Sequence, residues 1–390
     1  MTDDDEALRF HERHHGKIKI EGKVDIESRE QLNLAYTPGV AAPVRAIQQD
    51  RSKVYDYTAK GEMVGILTNG SSTLGMGKTG PEAAIPVMEG KALLARKLAD
   101  VSAFPLVLDV DETEQLVEAG ERLQPVFGFL IMEDIESPAC FRVEEQLKQR
   151  MDIPVFHDDQ HGIAVAALAG LTNALDVTGR DLEGSRIVVV GAGAAGIATT
   201  KLLLEAGAEE ILVVDRQGIL YPGCDGMNWA QQEIAEMTNP EHEQGSLKDA
   251  MQNADVVIGL SVGGIISQAM VEDMADDPVV FALANPEPEI MPDEARDAGA
   301  SVVATGRSDF ENQVNNSLVF PGLVKGCLRC RASAITTEMK LTAAEALAGM
   351  VDDPVEEDIL PSTLEREPVD AIADAVSQQG QEDGVCRKEP

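Results

Sequence analysis

Short apolar runs alternate with longer amphipathic stretches along most of the chain, the pattern of strand–helix–strand units that build parallel sheets. Residues 63–68, 105–110, 126–131 and 153–156 read as buried strands, and 81–99, 112–123 and 138–150 as the helices between them. Residues 162–177 are rich in Ala and Leu and almost uncharged. A helix apolar nearly all round is a buried one, so this stretch is expected to join two domains, with Gly162 in the loop that opens it. A second series of strands follows at 187–190, 211–214, 254–260, 279–284 and 301–304. Phe320-Pro321-Gly322 reads as a turn and 323–334 as a helix. Two acidic helices and a polar end complete the chain. The expected fold class is α/β: an N-terminal α/β domain over 1–160, a doubly wound Rossmann-like domain over 161–376, and a polar C-terminal tail over 377–390.

Composition narrows the choices. The 390 residues carry 68 acids against 32 bases, a net charge of -36. Nucleic acid needs Lys and Arg to neutralise its phosphates, and an anionic membrane surface attracts bases in the same way, so neither is an expected partner. No apolar run approaches the ~20 residues of a membrane span. Self-repulsion of this size opposes a compact state, but at 1 M salt the Debye length is only ~3 Å. A salt-rich, halophilic cytoplasm is therefore expected. The acidic start Met1-Thr2-Asp3-Asp4-Asp5 is unlike a signal peptide. The segment with Arg9, His11, His14, His15 and Lys17 reads as a surface or subunit-contact helix. Five cysteines give no disulfide framework, and Cys327 and Cys330 read as neighbours on one helical face.

Chemistry concentrates at two strand ends. Glu133-Asp134 follows one apolar run, and His157-Asp158-Asp159-Gln160-His161-Gly162 follows another. Carboxylates past the C-terminal ends of neighbouring parallel strands converge on the crevice where open α/β sheets bind ligands. Acidic pairs are mostly solvated, so position is what singles these out. Carboxylate oxygens suit Mg2+ or Mn2+. His157 and His161 have the i, i+4 spacing of a zinc pair, but the HExxH glutamate is absent. The loop at 69–80 has Ser72 where a phosphate-binding GxxxxGK[ST] loop needs glycine. By contrast, Gly191-Ala192-Gly193-Ala194-Ala195-Gly196 lies between a strand and a helix, and Asp215 ends the next strand. This is the dinucleotide fingerprint. Asp215 suits the ribose diol of NAD and Arg216 the 2′-phosphate of NADP, with a slight lean to NADP. Asn285-Pro286 and Asn312-Gln313-Val314-Asn315-Asn316 follow later strands and read as loop or crevice residues.

A dinucleotide facing a carboxylate-bound cation implies hydride transfer from an oxygen-rich substrate. Here the chain resembles the malic enzymes of the small prokaryotic type. The resemblance is carried in order by Tyr36-Thr37-Pro38-Gly39-Val40-Ala41, Pro86-Val87-Met88-Glu89-Gly90-Lys91, Glu133-Asp134-Ile135, the segment 156–162, the glycine fingerprint, Ala284-Asn285-Pro286 and 312–316. It implies oxidative decarboxylation of malate to pyruvate and CO2, an active site in the interdomain cleft, and a homodimer or higher homo-oligomer. It implies Glu133, Asp134 and Asp159 as metal ligands, Lys91 as base, Asp158 orienting Lys91, Tyr36 as acid, and Asn285 and Asn315 beside malate or nicotinamide. The chain departs from the family in Gly75-Met76-Gly77-Lys78-Thr79-Gly80, where GLGNIG is common, and in Ile163, where many relatives have threonine. A 2-keto-acid decarboxylase, a malolactic-type enzyme and a non-catalytic dinucleotide sensor are the competing readings.

Overall fold

The computed structural model describes residues 4 to 388, so residues 1–3 of the first expected domain and 389–390 of the expected tail lie outside it. The first sheet holds β1 (Met63–Thr68), β2 (Ser102–Val107), β3 (Phe129–Met132) and β4 (Val155–His157) in the order β2-β1-β3-β4, all parallel. From β1 the chain steps outward to β2, then returns to β3 on the other side. That reversal opens a crevice at the C-terminal ends of β1 and β3. The central strands are apolar and buried except at the ends of β1, where Met63 is half-buried and Thr68 is polar, as suits a sheet covered on both faces. β2 begins three residues before the sequence pattern placed it. Pro105 sits inside it opposite Ile66, which is tolerated because β2 is an edge strand.

The second sheet comprises β5 (Arg186–Val190), β6 (Glu210–Asp215), β7 (Gly218–Ile219), β8 (Val256–Gly259), β9 (Val279–Ala282) and β10 (Val302–Thr305). Its order is β10-β9-β8-β5-β6-β7, with only β7 antiparallel. The reversal falls between β5 and β8. Both sheets share one core through the helix Asp158–Thr178, whose apolar residues pack with Phe129 and Phe156 on one side and Ile187 and Phe281 on the other.

That helix starts earlier than the sequence suggested and takes Gly162 into its interior, not a loop. A Cβ at 162 would lie 2.0 Å from Asp158 Oδ1 and 2.9 Å from Asn316 Cβ. Crowding therefore explains this glycine, and no flexibility is needed. Phe320-Pro321-Gly322 likewise opens the helix Phe320–Cys330 and is not a free turn; proline is well suited to a first helical turn. The polar tail is also corrected. Ser377 is buried within the helix Glu367–Glu382, and the segment beyond folds back so that Ser333 N–H donates to Val385 O at 2.9 Å. There Cys386 forms a disulfide with Cys330 across 56 residues, a pairing that spacing does not reveal. Cys327 shares the helical face as expected and is a free buried thiol.

The N-terminal helices differ from the rest. Asp4–His14, Arg29–Ala35 and Ala41–Gln49 bury no residue. Between and along them Ile20, Val24, Ile26, Leu34 and Val44 are exposed. Among the described residues, no helix is long and apolar enough to cross a membrane.

Candidate active site

The site is built at the first crevice. Glu133 and Asp134 leave β3, and Asp158 and Asp159 open the helix that follows β4. The loop after β1 holds the first pair in place: Ser72 N–H donates to Asp134 O at 3.0 Å, and Leu74 N–H to Asp134 Oδ1 at 3.1 Å. Asp134 N–H donates to Asp159 Oδ2 at 2.7 Å, joining the two strand ends. Lys78 and Thr79, the departures from the family pattern, stay within this region. Lys78 pairs with Asp111 at 2.6 Å, both exposed, and Thr79 Oγ1 lies 2.7 Å from Thr73 Oγ1.

Lys91 reaches the same point from the helix Pro81–Ala99. It is only 6% exposed and pairs with Glu133 Oε1 at 2.8 Å and with Asp158 Oδ2. Its ammonium also lies 4.5 Å from the centre of the Phe320 ring, a cation–π contact. Burial lowers the Lys91 pKa, but Asp158 and Glu133 outweigh it and the net shift is upward. Burial and the neighbouring Asp159 push Asp134 up to about 6, and burial with Asp159 raises Glu133 as well. Asp158 is raised by burial despite Lys91. Asp159 runs the other way, lowered despite burial by its contact with His157, which is raised in turn, so four clustered carboxylates face two cations, Lys91 and His157.

A divalent cation fits that surplus. Glu133 Oε2, Asp134 Oδ2 and Asp158 Oδ1 are buried without hydrogen-bond partners. Such acceptors are costly to leave unmatched, and hard oxygens are what Mg2+ and Mn2+ take. Among the described residues, no three His, Cys, Asp or Glu side chains are arranged to hold a metal ion; Lys91 pairs with both Glu133 and Asp158.

The histidines of the motif serve as supports. His157 Nε2 lies 3.2 Å from Asp159 Oδ2, and Gln160 Nε2 lies 2.7 Å from His157 Nδ1. His161 Nε2 contacts Glu144 Oε1 at 2.8 Å, and Gln160 also donates to Glu144. This buried Glu144 escaped the sequence reading. It lies in a helix without any motif, and only its contacts reveal that it braces the helix carrying Asp158 and Asp159. Burial lowers His161 to about 4, and its Nε2–H is the donor to Glu144, whose ionised carboxylate only accepts.

The second domain presents its glycine loop after β5. Gly191 has φ +107°, and a Cβ there would meet Leu260 O at 2.4 Å. A Cβ on Gly196 would meet Gly191 O at 1.7 Å, so the turn, Ala192, Ala194 and Ala195 included, needs both glycines. Gly193 has nothing within 4 Å, leaving its backbone open to approach. Asp215 Oδ2 accepts from Ala192 N–H at 3.1 Å and from Gln231 Nε2 at 2.8 Å. Arg216 beside it is exposed. Asn285 and Asn315 meet around Gly306: Asn315 Nδ2 donates to Gly306 O at 3.4 Å, and a Cβ on Gly306 would touch Asn285 Nδ2. The Asn285 carbonyl in turn faces Gly75 of the first domain. Asn312, from the same amide cluster, is structural; it donates to Val303 O and Glu356 O.

Tyr36 is the exception. It is 68% exposed, and among the described residues its hydroxyl makes no hydrogen bond to Lys91 or to the carboxylates. A single chain does not bring it into the cluster.

Comparison with known proteins agrees with this arrangement. The malic enzyme N-terminal domain matches residues 15–118, and the malic enzyme NAD binding domain residues 160–380. The bifunctional malic/malolactic enzyme of Bacillus subtilis is 49% identical over 386 residues, 98% of this chain and 94% of that protein. The NAD-dependent malic enzyme of Geobacillus stearothermophilus is 46% identical over 96% of this chain and 78% of its own length. The crystal structure of the NAD-dependent malic enzyme of Thermotoga maritima superposes with a TM-score of 0.93 at 44% identity, covering 95% of this chain and 98% of that one. That of Pyrococcus horikoshii malic enzyme gives 0.96 at 44% identity, with 99% and 92% covered. With both domain models matched and full-length identities this high, the chain belongs to the malic enzyme family.

Proposed function

We propose that the chain oxidises malate with a nicotinamide dinucleotide and decarboxylates the product to pyruvate and CO2. The observation that carries this reading is Lys91, buried between Asp158 and Glu133 beside three unpartnered carboxylate oxygens. Glu133, Asp134 and Asp159 would hold Mg2+ or Mn2+, which when bound polarises the C2 oxygen and steadies the enolate charge. Lys91 accepts the C2 hydroxyl proton as hydride leaves C2 for the nicotinamide. Engagement of Glu133 elsewhere removes one of the two carboxylates that keep Lys91 protonated, which moves it toward a base. Asp158 orients the amine. The carboxylate β to the new ketone then leaves as CO2, and Tyr36 protonates C3. Asn285 and Asn315 would contact malate or the nicotinamide.

Asp215, tied to the glycine loop, supports NAD over the NADP leaning of the sequence; Arg216 is where a 2′-phosphate would be met. The test is absorbance of reduced nicotinamide with L-malate, Mn2+ and either dinucleotide at high KCl, with products assayed. Pyruvate and CO2 are expected. Oxaloacetate without CO2 would indicate a simple dehydrogenase, and lactate without net reduction a malolactic reaction.

We also propose a homodimer or higher homo-oligomer. The exposed apolar side chains of the N-terminal segment suit an interface, and a second copy would give Tyr36 a site to serve. Sedimentation at high KCl showing a monomer at assay concentrations would overturn this. Tyr36→Phe is expected to slow oxaloacetate decarboxylation by about 10²-fold or more, the scale of general acid catalysis, with little change in ketone reduction. Equal loss in both half-reactions would remove the acid role. Asp159→Ala is expected to weaken Mn2+ binding, read by electron paramagnetic resonance, by at least about 10- to 100-fold.

A further inference from the structure

The carboxylate that ends the dinucleotide fingerprint is held by more than the fingerprint itself. Asp215 closes β6 and is half-buried. Its Oδ2 accepts from Ala192 N–H at 3.1 Å and from Gln231 Nε2 at 2.8 Å, and its Oδ1 accepts from Arg216 N–H at 2.7 Å. A carboxylate offers about four acceptor positions. The protein fills two on Oδ2 and one on Oδ1, which leaves one open on Oδ1. A ribose hydroxyl has a proton to donate there. A 2′-phosphate brings like charge and acceptor oxygens instead, and a carboxylate that cannot move aside works against it.

Two of the donors are backbone groups of the fingerprint and its strand. The third is a side chain from outside the motif. Gln231 lies in the helix Trp229–Met237 and is only 7% exposed. Its amide can point only one way. Asn228 N–H donates to Gln231 Oε1 at 3.0 Å, and a backbone N–H cannot accept, so the Nε2 end must face Asp215. Gln231 N–H donates to Asn228 Oδ1 at 3.1 Å in return, closing a capping box that anchors the glutamine. Without this donor, Asp215 is free to turn from the glycine loop toward solvent. The exposed Arg216 is then left to meet a phosphate.

We propose that Gln231 is a positioning residue that sets dinucleotide preference, by holding the Asp215 carboxylate against the glycine loop with one acceptor position open to a ribose hydroxyl. This rests on the reading of Asp215 as the ribose acid. The experiment measures NAD+ and NADP+ dissociation constants by calorimetry at high KCl without malate, so its outcome does not depend on malate oxidation. Gln231→Met is expected to weaken NAD+ binding at least about tenfold, ~1.4 kcal/mol, with NADP+ binding unchanged or tightened. Gln231→Glu keeps an acceptor for Asn228 N–H, since glutamate serves in capping boxes, but turns a second carboxylate on Asp215. It should lose NAD+ affinity to a similar extent. In an Asp215→Ala background, Gln231→Met should change neither constant by more than about twofold, because the two residues act as one unit. Circular dichroism checks folding, and Gln231→Glu carries the test if the methionine variant does not fold. A wild type that prefers NADP+ would overturn the ribose reading of Asp215 alone. An unmoved NAD+/NADP+ ratio in Gln231→Met, wild-type NAD+ affinity in Gln231→Glu, or equal losses with and without Asp215 would overturn the role of Gln231.

Discussion

Replacing Lys91 by alanine is expected to lower turnover with malate by about 10²- to 10⁴-fold, the usual worth of a positioned base, with dinucleotide binding retained. The two effects separate because Lys91 belongs to the first sheet's crevice, whereas the glycine loop is formed by β5 and β8. Stability should fall as well. Lys91 is the lysine that offsets Glu133 and Asp158, and both are buried. Breaking a buried pair by removing one partner typically costs about 3–5 kcal/mol. Here the loss should lie toward the lower end, because both carboxyls already have raised pKa values and can take up protons instead. Lys91→Arg separates charge from chemistry: the guanidinium keeps a positive charge but stays protonated. It should therefore recover part of the lost stability and little of the turnover. Single-turnover rates, NAD+ calorimetry and thermal melts measure the three quantities. Near-normal turnover in the alanine variant would remove Lys91 as the base.

How much of this was readable beforehand depends on whether the cause is local. Strand β1 and the helix Pro81–Ala99 match the sequence reading residue for residue, since each is fixed by an apolar run and by punctuation at its ends. The dinucleotide loop was legible for the same reason: its glycines answer to clashes with neighbours in the same motif. Gly162 was not legible. Its reason is Asp158 Oδ1 and Asn316, and the latter arrives from a short helical turn more than 150 residues on. Glu144 and the Cys330–Cys386 bridge share that character; their partners come from other elements. Tyr36 marks a different boundary. A motif can nominate a residue as an acid, but the fold of one chain leaves it at the surface.

Moving the protein from molar KCl to about 0.01 M ionic strength is expected to destabilise it severely, since the Debye length grows from ~3 to ~30 Å. Ion pairs do not offset this. If every one of the 32 bases met its own carboxylate, 36 of the 68 acids would still be left over. Exposed pairs such as Lys23–Glu62 and Arg122–Glu118 are strengthened at low salt, but such pairs are worth only ~0–1 kcal/mol each. A loss of several kcal/mol corresponds to a fall in melting temperature on the order of 10 °C. Screening and salting-out can be told apart by the shape of the curve. Screening should act mainly below about 0.5 M, where the Debye length changes fastest, and should not depend on the anion at equal ionic strength. Salting-out should continue to rise and should favour sulfate over chloride. A protein that is folded and active at 0.01 M would show that the acidic surface is not an adaptation to salt. A rise confined to high sulfate would assign the stabilisation to burial of apolar surface in the core instead of charge.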